Sequence, residues 1–150
     1  MSKILITGAN GFVGKALCFR LEQKNKFAVL RSTHFNLNKD DLHIDFSSNV
    51  NVQSKLCDIN VIIHCAACVH IMNDLSSSPL ESFRQVNTYG TLNLAQQAAD
   101  AGVKRFIFIS SIKVNGESTE LGVPFKPNDN FIPTDPYGLS KYEAEVGYAK

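Results

Sequence analysis

Apolar positions along this chain follow two rhythms. Short continuous runs, "KILIT" (3–7), "FAVLR" (27–31), "VIIHC" (61–65) and "RFIFIS" (105–110), read as strands buried on both faces, with "HIDF" (43–46) a weaker one. Between them the spacing turns helical over 12–24, where Val13, Ala16, Leu17 and Leu21 share a face, and over 48–57. A long helix is predicted over 79–101, with Phe83, Val86, Gly90, Leu94 and Ala98 along one face and Gly102 as its stop. Strands alternating with helices predict an α/β domain, a doubly wound parallel sheet of the Rossmann kind. From Asn115 to Pro136 the periodicity lapses among glycines and prolines, which predicts a long loop of the kind often used functionally. A last helix starts near Pro136 and is still running when the chain stops. That ending sets the expectation of a piece of a longer protein, truncated before the last strands of its sheet.

Composition narrows the partners. The chain has 150 residues, 44% hydrophobic and 19% charged, with a net charge of +1. This fits one ordinary domain and gives no support to nucleic-acid or anionic-membrane binding. The start lacks the apolar stretch of a signal peptide, and "VIIHCAACV" is too short to span a bilayer, so a cytoplasmic protein is expected. The segment "HCAACVH" gathers His64, Cys65, Cys68 and His70. Structural zinc sites usually draw separated ligand pairs from turns, whereas this cluster continues an apolar strand. Small buried thiols at a strand end are the expected reading, and no metal is expected.

The densest chemical signal is "TGANGFVG", residues 7 to 14, which follows a predicted strand and opens a predicted helix. In that setting Gly8 permits a sharp turn, Gly11 lets a pyrophosphate approach the backbone, and Gly14 allows the helix to pack closely on the strand. The helix N-terminus adds unpaired N–H groups and a positive dipole end. Gly8, Asn10, Gly11, Phe12, Val13 and Gly14 are therefore the candidate dinucleotide-binding segment, with pyrophosphate against Gly11 to Val13. The G-x-x-G-x-x-G spacing is one residue longer than the commonest fingerprint.

Two further features lie later. Tyr137 and Lys141 stand four apart on the last predicted helix, and so on one face. Ser110 and Ser111 end the fifth strand, where open α/β sheets place ligand-contacting groups. A free phenol ionises only near ~10, but a neighbouring ammonium favours its phenolate and makes it a usable base. A serine hydroxyl beside them can orient a substrate oxygen.

With these motifs in order, "TGANGFVG", "HCAA", "VNTYGTLNLAQQA", "VKRFIFISSIKVNGE" and "PYGLSK", the chain resembles the extended short-chain dehydrogenase/reductase family, the NAD-dependent epimerases and dehydratases. The resemblance implies Ser111, Tyr137 and Lys141 as the catalytic set, Ser111 being preferred because it precedes Gly116 by five residues. It also implies adenine contacts at Asp45 and Phe46, a cofactor wall at Ala66 and Ala67, and Asn87 near the active site. Relatives that prefer NAD usually carry an acidic residue after the second strand. Here "VLRSTHF" offers Arg31, a partner for a 2′-phosphate, which tilts the cofactor expectation from NAD towards NADP.

The implied activity is hydride transfer at C4 of a nucleotide sugar, as an epimerase or a 4-ketoreductase of bacterial polysaccharide synthesis, in a protein that can be a homodimer. "SSIKVNGE" lacks the Thr-Asp-Glu signature of the dehydratases. Alternatives are a reductase of a sterol or dihydroflavonol, and a non-catalytic NAD(P) sensor. The resemblance further implies that residues 1–150 are the N-terminal cofactor-binding domain, including the Tyr137 and Lys141 helix, with the family's substrate-binding region expected beyond it.

Overall fold

The computed structural model describes residues 1–34, 38–69 and 78–148. Five parallel strands form one sheet in the order β3-β2-β1-β4-β5, where β1 is Ser2–Thr7, β2 Phe27–Thr33, β3 Leu42–His43, β4 Val61–His64 and β5 Arg105–Phe108. The chain order therefore reverses between β1 and β4, which leaves a crevice at the carboxyl ends of those strands. Helices cover both faces: α1 (Phe12–Glu22) on one side, and α2 (Gln53–Leu56), α4 (Thr91–Asp100) and α5 (Pro136–Tyr148) on the other.

Alternation along β1 feeds both layers. Ile4 and Ile6 pack with Cys18 of α1, while Leu5 joins Ile62, Leu56, Leu94 and Ala98 on the opposite face. Full burial of such an aliphatic side chain contributes about 1.5–3 kcal/mol, so these few residues fix which face each helix must cover.

Several boundaries differ from the apolar pattern, each for a local reason. The first helix is one residue out of phase: Gly14 and Cys18 are buried with Leu17 and Leu21 beside them, while Val13 and Ala16 are exposed. A Cβ on Gly14 would land on the Gly8 carbonyl, so the helix turns its bare backbone, rather than its nearest valine, towards the strand. The third strand shrinks to two residues and the 48–57 helix to four. Between them the Asp45 carboxylate accepts from the backbone N–H and hydroxyl of Ser47, a turn that competes with both elements. The strands expected to end at 65 and 110 stop at His64 and Phe108, whereas β2 runs on to Thr33. The final helix begins at Pro136 as expected, capped by the Asp135 carboxylate on the Gly138 N–H at 2.8 Å.

The predicted 79–101 helix is interrupted. Its first six residues form α3 (Pro79–Arg84), and a π-helical turn at Gln85–Gly90 precedes α4. The wide turn brings Asn87, Thr88, Gly90 and Thr91 all inward. Gly102 ends the helix in the left-handed conformation, φ +77°, as its glycine permits.

Beneath this turn sits His64, with no exposed surface. Its Nδ1 lies 2.7 Å from Thr7 Oγ1 and its Nε2 3.0 Å from Thr91 Oγ1, tying β1, β4 and α4 together. The ring packs among Phe46, Phe106 and Phe108. No helix among the described residues is long and apolar enough to cross a membrane.

Burial, reinforced by the Lys141 ammonium, pushes His64 down to about 3, so the folded protein holds it neutral. The unfolded chain takes up the proton first, near the ordinary value of ~6.5. The contribution of His64 is therefore complete above that pH and is lost as pH falls towards the folded value. Urea unfolding should show stability declining by about 1.4 kcal/mol per pH unit between pH ~6 and ~4.5. His64→Gln, which has no such proton to take up, should flatten that segment. Identical slopes in the two proteins would contradict this account of the buried imidazole.

Candidate active site

At the crevice between β1 and β4 two stretches of backbone lie close together. Gly8 has φ +63°, and a Cβ there would meet the Ala66 backbone nitrogen at 2.7 Å. The turn is closed by the Gly11 N–H donating to the Gly8 carbonyl at 2.9 Å, and Gly11 is the N-cap of α1. No acidic residue occupies the first turn of α1, so its N–H groups and dipole face an anion without competition. Thr7 Oγ1 accepts from the Ala66 N–H at 3.3 Å, which fixes the β4 end against the turn.

A cavity of about 380 Å³ opens there, lined by Gly8, Asn10 and Gly11 from the turn, Ser32, Thr33 and His34 from the end of β2, and Cys65, Ala66 and Ala67 from beyond β4. A second cavity of about 350 Å³ shares Ile44, Phe46, Ala66 and Ala67 with it and adds Asp45 and Val86. Ser47 donates two hydrogen bonds to the Asp45 carboxylate and holds it below its ordinary range, with His34 and His43 adding to the effect. The first hollow offers amide N–H groups beside a helix N-terminus; the second offers an apolar slot. This donor set fits a dinucleotide, with phosphates on the glycine turn and a flat base between Phe46 and the alanines.

Not every expected residue reaches these cavities. Gly14 serves the packing of α1, and Phe12 is 95% exposed outside the hollow. Val13 is exposed as well, so only its backbone lies at the anion end of the helix. Arg31 does not line the cavity. Its guanidinium makes a two-pronged contact with the Glu22 carboxylate at 2.6 and 2.8 Å, which raises its already high pKa. In β2 it faces the α1 side, away from Leu30 and Ser32, so the argument for a 2′-phosphate partner loses its geometry.

Asn87 lies beside the Tyr137–Lys141 helix. Wholly buried, it accepts from the Cys68 N–H at 2.8 Å and donates to the Cys68 carbonyl at 2.9 Å and to Ser140 Oγ at 3.0 Å. Its side chain is a clamp between the segment after β4 and α5. Ser140 in turn donates to the Tyr137 carbonyl at 2.7 Å, and its own carbonyl accepts from Thr88 Oγ1. Ser140 was missed at the level of sequence; it lies beside Lys141, and only the π-turn reveals its partners. Of "HCAACVH", His64 spends both ring nitrogens on threonine hydroxyls and Cys65 lines the cavity; His70 lies outside the described residues.

Lys141 is buried to 1% exposure, and its Nζ donates to the Ile109 carbonyl at 2.8 Å while lying 4.0 Å over the Phe108 ring. Burial lowers its pKa to about 8, against the opposing pull of the Glu145 carboxylate and Cys65. Ile109 leads directly into Ser110 and Ser111, and α5 packs on the short 3₁₀ turn Ile112–Val114 that follows. Ser111 caps that turn, its Oγ accepting from the Lys113 N–H at 3.3 Å. Tyr137 stands one turn before Lys141, its ring edge-on to Phe83.

The family model described as "NAD dependent epimerase/dehydratase family" matches residues 4–148. A UDP-glucose 4-epimerase of Vibrio cholerae is 50% identical over 146 residues, covering 95% of this chain and 44% of that protein. Among solved structures, UDP-glucuronic acid 4-epimerase from Bacillus cereus in complex with NAD superposes with a TM-score of 0.78 at 27% identity, covering 97% of this chain and 50% of that one. MoeE5 in complex with UDP-glucose and NAD gives 0.81 at 25% identity, covering 98% and 48%. The chain thus spans about half the length of these relatives.

The glycine turn yields a direct test. A Cβ on Gly11 would meet only the Gly8 carbonyl, at 3.2 Å, so Gly11→Val is expected to fold. Its branched side chain stands where the cavity needs bare backbone, and NAD affinity by calorimetry should fall at least ~100-fold, the loss of about 2.7 kcal/mol. Unchanged affinity in the folded variant would remove the phosphates from this turn.

Proposed function

Because the chain belongs to the NAD-dependent epimerase/dehydratase family, we propose that it is the cofactor-binding half of a nucleotide-sugar 4-epimerase, acting on a UDP-hexose. What supports the substrate class is the 50% identity to a UDP-glucose 4-epimerase across nearly the whole chain. The observation that carries the catalytic reading is Lys141: a lysine buried to 1%, held on the strand end that delivers Ser111 and one turn from Tyr137.

Gly8, Asn10 and Gly11 hold the pyrophosphate of a nicotinamide dinucleotide, and Asp45, Phe46, Ala66 and Ala67 flank its adenine. Bound there, the nicotinamide supplies a reversible acceptor for the hydride of the sugar carbon. Tyr137 exchanges a proton with the sugar hydroxyl oxygen, acting as base when the carbonyl forms and as acid when it is reduced again. Lys141 contributes a fixed positive charge that favours the ionised phenol. Ser111 accepts one backbone hydrogen bond through Oγ, which leaves its O–H to donate to the same substrate oxygen. The same Ser111, Tyr137 and Lys141 would serve an epimerase, in which C4 would regain its hydride on the opposite face, or a 4-ketoreductase, in which a 4-keto sugar would be reduced by cofactor that enters already reduced. Epimerised UDP-sugars are glycosyl donors, the form in which polysaccharide assembly consumes hexoses.

In the whole protein, Tyr137→Phe keeps the ring and its contact with Phe83 while removing the proton carrier. Its kcat for UDP-glucose to UDP-galactose conversion should drop by about 10²–10⁴-fold, with NAD affinity retained. A variant of near-normal rate would mean that another group moves the proton. A whole protein inert towards every UDP-hexose would refute the substrate assignment.

A further inference from the structure

Phe108 closes β5, and its ring is shared by two nitrogen groups of different charge. Lys141 Nζ lies over the ring, 4.0 Å from its centroid. His64, the in-register partner on β4, stacks on the same ring at 6.0 Å and 23°. The proposed chemistry needs Lys141 charged, and burial works against that charge, lowering its pKa to about 8. Among the described residues no carboxylate forms an ion pair with it, and its hydrogen bond goes to the Ile109 carbonyl.

Other groups around the ammonium do little to hold it. On α5, Tyr137 and Glu145 stand one turn before and one turn after Lys141, and Glu145 opposes the effect of burial only through space. From β4 come His64, which burial keeps neutral, and Cys65, a thiol pushed up to about 11 by burial. On the 3₁₀ turn Lys113 is paired with Glu117, and on α3 Arg84 is paired with Glu143. The ring of Phe108 and the carbonyl of Ile109 are what touch the ammonium. The neutrality of His64 serves the same end, since a charged imidazole stacked on that ring would repel Lys141.

We infer that Phe108 is a positioning residue of the proton-transfer set, its ring face holding the Lys141 ammonium, as a cation, one turn from Tyr137. This rests on the proposed role of Lys141. An aromatic face is the negative pole of the ring quadrupole, and it attracts a cation most strongly where water is excluded. A leucine would fill much of the same space without that attraction. Because Ile109 follows Phe108 directly, one strand end supplies both contacts of the ammonium and then delivers Ser111.

Replacing Phe108 by mono-, di- and trifluorophenylalanine drains the ring face stepwise with little change of shape, and so separates its charge from its packing. In the chain carrying isotope-labelled lysine, the Lys141 resonance is identified by its absence from Lys141→Met. Its titration midpoint should fall with each fluorine, and by about one pH unit in Phe108→Leu, while Phe108→Tyr stays near wild type. In the whole protein, turnover of UDP-glucose at pH 8 should drop about fivefold in Phe108→Leu, following the charged fraction of Lys141, and be rescued in Phe108→Tyr. A midpoint that ignores the fluorine series would overturn the inference, reduce Phe108 to packing and leave the role of Lys141 standing. A midpoint that falls while turnover at pH 8 holds would confirm the hold of the ring and overturn the proposed role of Lys141.

Discussion

Three stretches of backbone meet at the carboxyl end of β1 with no side chain between them, and that close approach is the constraint on which the rest depends. Gly8 lies against Ala66, and Gly14 lies against Gly8. Any Cβ at either glycine would force β4 or α1 outward. The same contact that packs α1 onto the sheet also aims its N-terminus into the crevice where the strand order reverses. Packing and anion binding are one geometric solution here, because bare backbone serves both.

Polar side chains then hold the crevice in register. Apolar burial, as of Leu5, Ile62 and Leu94, decides which face each helix covers, but it is non-directional and does not by itself fix register. The chain Ala66 N–H, Thr7, His64 and Thr91 does, since each link is a directional bond among buried groups. A parallel device works from the other side. Asn87 grips both backbone groups of Cys68 and reaches Ser140, whose hydroxyl bonds the Tyr137 carbonyl. The wall of the cavity and the first turn of α5 are thus joined through a single asparagine, which needs the π-turn to face inward. In this way the glycine turn and the tyrosine helix, far apart in sequence, are referred to one rigid frame.

Much of this frame was legible in the sequence, and the misses have a common physical form. The four strong strands and the glycine turn follow from apolar runs and from glycine's lack of a side chain, both of which are local properties. The parallel, doubly wound class of the sheet and the inward positions Gly90, Leu94 and Ala98 of the long helix also emerge from patterning, whereas the strand order does not. What stayed hidden was the fate of polar residues. Asn87, Thr88 and Thr91 look like the solvent side of a helix until the π-turn rotates them inward. Ser32 and Thr33 sit past the apolar stretch of β2, where a strand extended only by its neighbour's backbone cannot be seen. Arg31 misled because charge was read without its partner: Glu22 lies nine residues earlier, on α1, and only the packing of α1 against β2 brings the two together.

The central claim is that phosphate, ribose and adenine lie along one crevice formed by the β1 turn, the end of β2 and the segment after β4. Amide chemical shifts of the isotope-labelled chain during an NAD titration test it most directly. The account predicts saturable shifts at Gly11 and Phe12, at Ser32 to His34, and at Ala66 and Ala67, with little change at Gly102 and Lys104 on the opposite end of the sheet. Shifts confined to the long loop and the outer face of α5, with the glycine turn silent, would contradict it.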